Sequence, residues 1–586
     1  MCPCNYIDTR LVYVYYVGMY IDIIPNRKSP PAILLRESVR EGAKIQKRTL
    51  ANLSALSMKQ VEAIRRVLKG ENLVAVAERF EIVASALHGH VEAVRLAMKR
   101  LGFEELVASR PCRERDLVVA LISARILDPE SKLATTRWWH TTTLPEILGV
   151  SDADEDDLYG AMDWLLQRQG HIEKKLAARH LKEGGMALYD LSSSYFEGTT
   201  CPLAALGHSR DGKKGTLQVN YGLLTDDRGR PVSISVFAGN TGDPKTLMPQ
   251  VKKLKDDFGI KTMVLVGDRG MISQKQINEI TDVVGIDWIT ALKTGAIRKL
   301  VDDKAIQMEL FDERNIFEFT HPDFPDERLV ACRNPELRKL RGHKRLSLLE
   351  ATGRELTKVQ AMVTRGTIEG KDMIGLRVGA IINKYKMAKH FILDIEERSL
   401  NFRVDDENVA AEAALDGIYV LRTSLSKERL STEDIVRSYK SLSQVERAFR
   451  SMKTMDLKIR PIRHRLEDRV RAHIFLCMLA YYVEWHMREA LRPVLFCDEA
   501  QELKKTRDPV APAKRSKAAL EKASSKVLAD GGEVHSFQTL LKMLSTIVRN
   551  RCRVPASGPN APTFDVVTTP TAEQQRAYKL LEAIVL

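Results

Sequence analysis

The chain lacks what would mark a small stapled protein or a membrane protein. Its eight cysteines, Cys2, Cys4, Cys112, Cys201, Cys332, Cys477, Cys497 and Cys552, form no CxxC unit. That excludes a zinc ribbon and a disulfide framework, and a reducing cytoplasm fits. Cys2 and Cys4 have no matching His or Cys nearby and read as incidental. Long apolar runs are also missing. Leu11–Ile24 is too short for a span, carries Asp22 and has no basic leader, so no membrane segment is expected. Its alternating aromatic and β-branched residues predict a strand. Met19 offers a second start, which would put residues 1–18 outside the fold. Aromatics are only 6%, but 44% apolar and 29% charged residues are the mix of an ordinary globular protein, not a disordered one.

Acids are outnumbered. The net charge is +14 over 586 residues, with a pI near 9.2. Such a surplus suits a polyanionic partner, most often nucleic acid, although a basic soluble protein has the same balance. The length implies about three or four domains. No internal repeat is visible.

Along the chain, residues 1–55 read as a small β-rich unit. Residues 56–185 show apolar positions recurring at three and four, as in "RERDLVVALISARILDP", and predict a helical domain. Helix pairs around 57–105 could read DNA ends or be purely structural. At Met186 the character changes. "MALYDLSSSYFEG" predicts a strand, and "LQVNYGLLTDDRGRPVSISVFAGN" two strands around a tight turn. A helix over Asp243–Phe258 follows, then the buried parallel strand "KTMVLVGDRGM", a helix over Ser273–Val284 and the strand "IDWITALK".

That order predicts an α/β fold: an RNase H-like core with a mixed five-stranded sheet and helices, its first part at 186–293. The core needs one more helix, and the next suitable stretch starts near Ser431. Residues 294–428 are therefore expected to be a β-rich insertion, with strands at "FEFTHP", "RLVACRNP", "HFILDIEE" and "IYVLRTS" and one basic helix over Pro335–Arg365. The core resumes over 429–495. Residues 496–586 read as a basic linker, rich in Lys, Ala and Ser over 504–530, and a helical C-terminal region that includes "SFQTLLKMLSTIVRNR".

Three acids stand where this core would bring them together. Asp190 lies in its first strand, and Asp268 closes its fourth at the carboxyl end, where open α/β sheets place their sites. Those two strands are neighbours in the expected order. Glu446 sits in "YKSLSQVERAFRSMKTMDLKIRPIRHR", seven residues after Tyr439 and seven before Lys453. Seven residues are about two helical turns, so all three are expected on one helix face.

On these residues the chain resembles an insertion-sequence DDE transposase, of the group whose RNase H-like core carries a β-rich insertion. That group has a signature of Tyr, two residues, Arg, three residues, Glu, six residues, Lys. Here it reads Tyr439, Leu442, Glu446 and Lys453, with Leu442 in place of Arg. Arg450, one turn past Glu446, is the candidate to take over that phosphate contact. The resemblance covers roughly residues 186–490. It implies that Asp190, Asp268 and Glu446 hold two Mg²⁺ ions, or Mn²⁺ in their place. One ion activates water to nick a transposon end, and the freed 3′-hydroxyl then attacks target DNA. Lys453 and Tyr439 would contact phosphate near the cut. It further implies double-stranded DNA as partner (terminal inverted repeats and target), a homodimer on paired ends, and a bacterial, nucleoid-associated location. The need for acids is physical: hard cations prefer oxygen ligands, and a pair of ions supplies both nucleophile and charge neutralisation.

Basic stretches come second. "GHSRDGKKG" matches most of a phosphate-binding loop. However, Lys214 replaces the final Ser or Thr and a strand follows where a helix is required, which argues against nucleotide binding. Arg210, Lys213 and Lys214 could contact DNA backbone there, or form a plain exposed turn. "KIRPIRHRLEDRVR" presents Arg460, Arg463 and Arg465 just past the Glu446 helix, a density suited to phosphate contacts. His473 beyond it reads as a core residue. Two other readings stay open: an RNase H-like nuclease without strand transfer, and a DNA-binding regulator that has lost catalysis.

Overall fold

The computed structural model describes residues 14–27, 29–41, 44–71, 80–307, 311–500, 508–553 and 562–586. Cys2, Cys4 and the start of the proposed linker lie outside them. The chain forms two compact units: Met1–Ser85 with Asn550–Val567, and Ala86–Arg549 with Thr568–Leu586.

The first unit begins as expected. Strands β1 (Val14–Ile24), β2 (Ala32–Glu41) and β3 (Lys44–Asn52) pair antiparallel in that order. Arg36 reaches across to Asp22 at 2.8 Å. A helix over Met58–Leu68 follows, opened by a reciprocal Ser57–Gln60 capping box and burying Val61. Strand β4 (Glu81–Leu87) then leads out of the unit.

In the second unit, β5 (Met186–Tyr195), β6 (Gln218–Asp226) and β7 (Pro231–Ala238) form an antiparallel meander. β8 (Met263–Gly267) and β9 (Ile286–Ala291) add on the far side of β5, parallel to it and to each other. All of β6 and β8 is buried, as a sheet covered on both faces requires. Gly222 of β6 is fixed by packing: a Cβ there would lie 2.0 Å from the Tyr189 hydroxyl, which donates to the Thr246 carbonyl at 3.2 Å.

The insertion departs from a β-rich body. Its strands β10 (Ile316–His321), β11 (Phe324–Arg333) and β14 (Ile418–Thr423) do not stand apart; they extend the core sheet to eight, in the order β10-β11-β14-β9-β8-β5-β6-β7. Between β11 and β14 lie a thirty-residue helix (Pro335–Thr364), a second helix (Lys371–Tyr385) and the hairpin of β12 (Phe391–Ile395) and β13 (Leu400–Val404). These form an arm with its own core of Leu356, Val359, Ile374, Val378, Phe391 and Leu400. The second helix escaped notice because two Gly interrupt its pattern.

Of the helices expected as a separate domain over 56–185, Met58–Leu68 belongs to the first unit, and those from Gly89 onward share one continuous core with the sheet. Arg113–Leu127 and Glu155–Gln167 pack on each other and on the long helix Glu467–Ala490, which itself lies on β7. Glu467–Ala490 is buried through most of its length because it is wrapped on all sides. "SFQTLLKMLSTIVRNR" is helical only over Phe537–Ser545. From there the chain becomes β15 (Val548–Arg553), which with β16 (Thr563–Val567) joins β4 in a three-stranded sheet. Arg553 pairs with Glu81, and Phe80 meets Phe564 edge-on at 6.0 Å. The Lys-rich linker is partly built in: Lys517–Ser525 is a helix, and the Val510 carbonyl receives the Lys440 ammonium at 3.0 Å.

Candidate active site

The register of two strands brings the first two acids together. In the parallel β5–β8 pair, Tyr189 stands opposite Gly267. One step further β8 has ended, so Asp190 and Asp268 come side by side at its carboxyl end. Each carboxylate is turned by a backbone donor: Leu191 N–H to Asp190 at 2.8 Å, and Arg269 N–H to Asp268 at 2.8 Å.

Glu446 arrives from a broken helix. The expected single face over Tyr439, Glu446 and Lys453 is not one helix. Thr432–Lys440 ends at Ser441, Leu442–Arg450 carries Glu446, and Ser451–Met455 is a widened π turn holding Lys453. Ser438 and Ser441 hydroxyls bond back to the carbonyls of Asp434 and Arg437, which bends helices. The first segment packs on β8 and β9 and the second on β5, so Tyr439 and Glu446 are carried by different segments. The Tyr439 hydroxyl donates to Asp268 at 3.3 Å. Burial and the Asp268 charge raise the Tyr439 pKa. Asp190 is pushed up to about 7, first by burial and then by the charges of Asp268 and Glu446, against the Leu191 N–H and Arg210. Three acids thus share one electrostatic neighbourhood at the carboxyl end of β8, in the middle of the sheet. Among the described residues, however, no group of three His, Cys, Asp or Glu side chains stands close enough to hold an ion as it lies.

The basic residues divide. Lys453 is buried at 3.0 Å from Asp211, and Arg460 pairs with the same carboxylate. Asp211, whose side chain is 2% exposed, also accepts the Tyr195 N–H at 3.0 Å. Burial lowers the Lys453 pKa while Asp211 opposes. Arg210 is drawn to Asp243 at 2.6 Å, and Lys213 lies over the Tyr195 ring at 3.5 Å. The loop "GHSRDGKKG" is thus folded against the site; it is not a plain exposed turn. Arg463 faces Glu197 at 3.0 Å on the surface, whereas Arg450, Arg465 and Lys214 are exposed. Leu442 packs against the core at the start of its helix. His473 is a core residue, its Nε2 at 3.1 Å from the Ile459 carbonyl.

Two acids were missed by sequence reasoning. Asp211 hides inside the basic run, where its neighbours suggested a solvated charge. Asp243 opens the turn after β7, and its carboxylate and that of Asp268 both approach Gly270. Asp243 did leave a signal, since it stands in a "GNTGDP" turn right after a largely buried strand.

A family model described as "Transposase DDE domain" matches residues 197–483, a stretch that includes Asp268 and Glu446. A second, "IS1634 family transposase, N-terminal domain", matches residues 21–77. This chain belongs to the insertion-sequence DDE transposases. The transposase has no match among curated proteins. A solved piggyBac transposase synaptic complex with hairpin DNA aligns over 78% of this chain and 77% of that one, at 9% identity and a TM-score of 0.33. Transposases of this kind act on DNA, and DDE enzymes generally use divalent metal ions. Among the transposase's described residues, no helix is long and apolar enough to cross a membrane.

Proposed function

We propose that the transposase cuts and joins DNA with Asp190, Asp268 and Glu446 as the carboxylates that hold two divalent ions, Mg²⁺ or Mn²⁺. One observation carries this reading: the β5–β8 register that sets Asp190 against Asp268, beside the helix of Glu446. The strand order β7-β6-β5-β8-β9, antiparallel on one side of β5 and parallel on the other, supports an RNase H-like layout for the sheet.

The residues fit such ions chemically. The donors are oxygens, as hard cations require. The Asp190 carboxyl, pushed up to about 7 by burial and then by its acid neighbours, is relieved by added positive charge. Bound ions supply charge neutralisation and water that is nucleophilic at neutral pH. Glu446 is exposed on its helix, so its side chain is free to turn toward the aspartates. Tyr439 holds Asp268 by its hydroxyl and orients that carboxylate. Arg450, Arg465 and Lys214 face solvent, where phosphate can be met, while Lys453 and Arg460 line the site from their Asp211 anchor. Water opens a phosphodiester at the transposon end and leaves a 3′-hydroxyl. That hydroxyl attacks a target phosphodiester, one P–O bond forming as another breaks. A homodimer on paired terminal repeats, in a bacterial nucleoid, completes the reading.

The test is cleavage and end-joining on DNA carrying the element's ends. Asp268→Ala, Asp190→Ala and Glu446→Ala are each expected to lower both by about a hundredfold or more. Mn²⁺ should raise the melting temperature of the wild type but not of these variants. Equal Mn²⁺ stabilisation of all four proteins would overturn the assignment.

A further inference from the structure

The insertion's long helix has two unlike halves. Glu350–Thr364 is balanced, with Glu350 and Glu355 against Arg354 and Lys358, and it buries Thr352, Leu356, Val359 and Val363. Pro335–Leu349 carries Arg338, Lys339, Arg341, Lys344 and Arg345 against Glu336 alone, and none of its residues is buried. Of its five leucines, Leu340 is 67% and Leu346 60% exposed, while Leu337, Leu348 and Leu349 are partly covered.

Its ends are anchored by the Asn334 cap and the Arg345–Asp416 pair, but the exposed stretch 338–344 between them gains little from the protein itself. Like charges three and four apart on a helix destabilise it, so an exposed basic stretch depends on balanced pairs. The packed half has that balance. In the bare half, Lys339 meets Glu336 at 3.7 Å and Arg345 is drawn to Asp416 at 2.5 Å. Arg338, Arg341 and Lys344 have no ion pair among the described residues. Their spacing of three keeps them on one side over about two turns.

We propose that the bare segment Pro335–Leu349 is a docking surface for the phosphate backbone of duplex DNA, apart from the three acids. The choice of DNA rests on the transposase reading; the need for a polyanion rests on the helix. The contact is electrostatic and independent of sequence.

The test uses the full chain and a fluorescent duplex of arbitrary sequence, with binding measured across salt concentrations. Arg341→Gln/Lys344→Gln replaces two exposed side chains, and an unchanged melting temperature checks the fold. Each lost phosphate contact should flatten the log–log salt slope by about 0.9. The double variant is therefore expected to flatten it by about 2 and to bind about tenfold more weakly at low salt. Arg354→Gln/Lys358→Gln, in the balanced half, makes the same charge change and should leave the slope alone. An unaltered slope in the first variant, or an equal loss in the second, overturns the proposal. Cleavage of end-bearing DNA is followed in parallel. If it is absent in the wild type while the slope still flattens, the triad falls and the docking surface stands.

Discussion

At the residue scale, Asp211 shows how a charge can be read wrongly from its neighbours. In sequence it is one acid in a basic loop. In the fold it gathers Lys453, Arg460 and the Tyr195 N–H while almost wholly buried. Removing one partner of a buried charge cluster leaves the others uncompensated, at a cost of roughly 3–5 kcal/mol. Because Arg460 retains some solvent, the lower end applies. Asp211→Asn is expected to lose about 3 kcal/mol of stability in urea unfolding and to weaken DNA cleavage. A loss below about 1 kcal/mol would show that Lys453 and Arg460 do not depend on this carboxylate.

At the scale of elements, the helical segments after Ser431 decide what the site looks like. The spacing of seven put Tyr439, Glu446 and Lys453 on one helix face, whereas the structure carries them on three segments, with Tyr439 on Asp268 and Lys453 on Asp211. Serine back-bonding ends the first helix, and a π turn widens the last one; widened turns of this kind often sit at functional sites. The π turn is tied down by Glu484 of the long buried helix, which accepts from Ser451 at 2.9 Å and from Arg488 at 2.5 Å. Burial pushes Glu484 up to about 7, with Asp456 adding to it and Arg488 opposing. Its folded pKa thus exceeds the unfolded value of about 4.5. The folded state binds the extra proton between those values, so stability from this group is complete below the lower one and is lost as pH rises through about 7. Melting temperatures from pH 5.5 to 8.5 should fall more steeply for the wild type than for Glu484→Gln. Parallel profiles would mean that Glu484 does not titrate there.

At the scale of the whole molecule, the insertion is both an extension of the sheet and an arm with a private core. Leu356 is fully buried in that arm, outside the core that holds the acids. Leu356→Ala should cost about 2–5 kcal/mol. The loss should be local: amide exchange should quicken over Lys371–Tyr385 while β5 and β8 stay protected. Exchange quickening equally in both places would mean that the arm and the sheet unfold as one.

Sequence by itself determined the strands of the core and their order, because buried strands write themselves as apolar runs, and it nominated three acids for the proposed site, of which Asp268 directly follows a strand. It also marked the insertion's strands β10, β11, β12 and β14 and its long basic helix, but not β13. It could not determine where those strands go, that the helical third shares the sheet's core, or that β15 and β16 return to pair with β4. Those outcomes depend on contacts between residues hundreds of positions apart, which leave no periodic trace. Tertiary structure alone decided that Asp211 is buried and that Asp243 pairs with Arg210, because the free energy of a charge is set by what surrounds it in space.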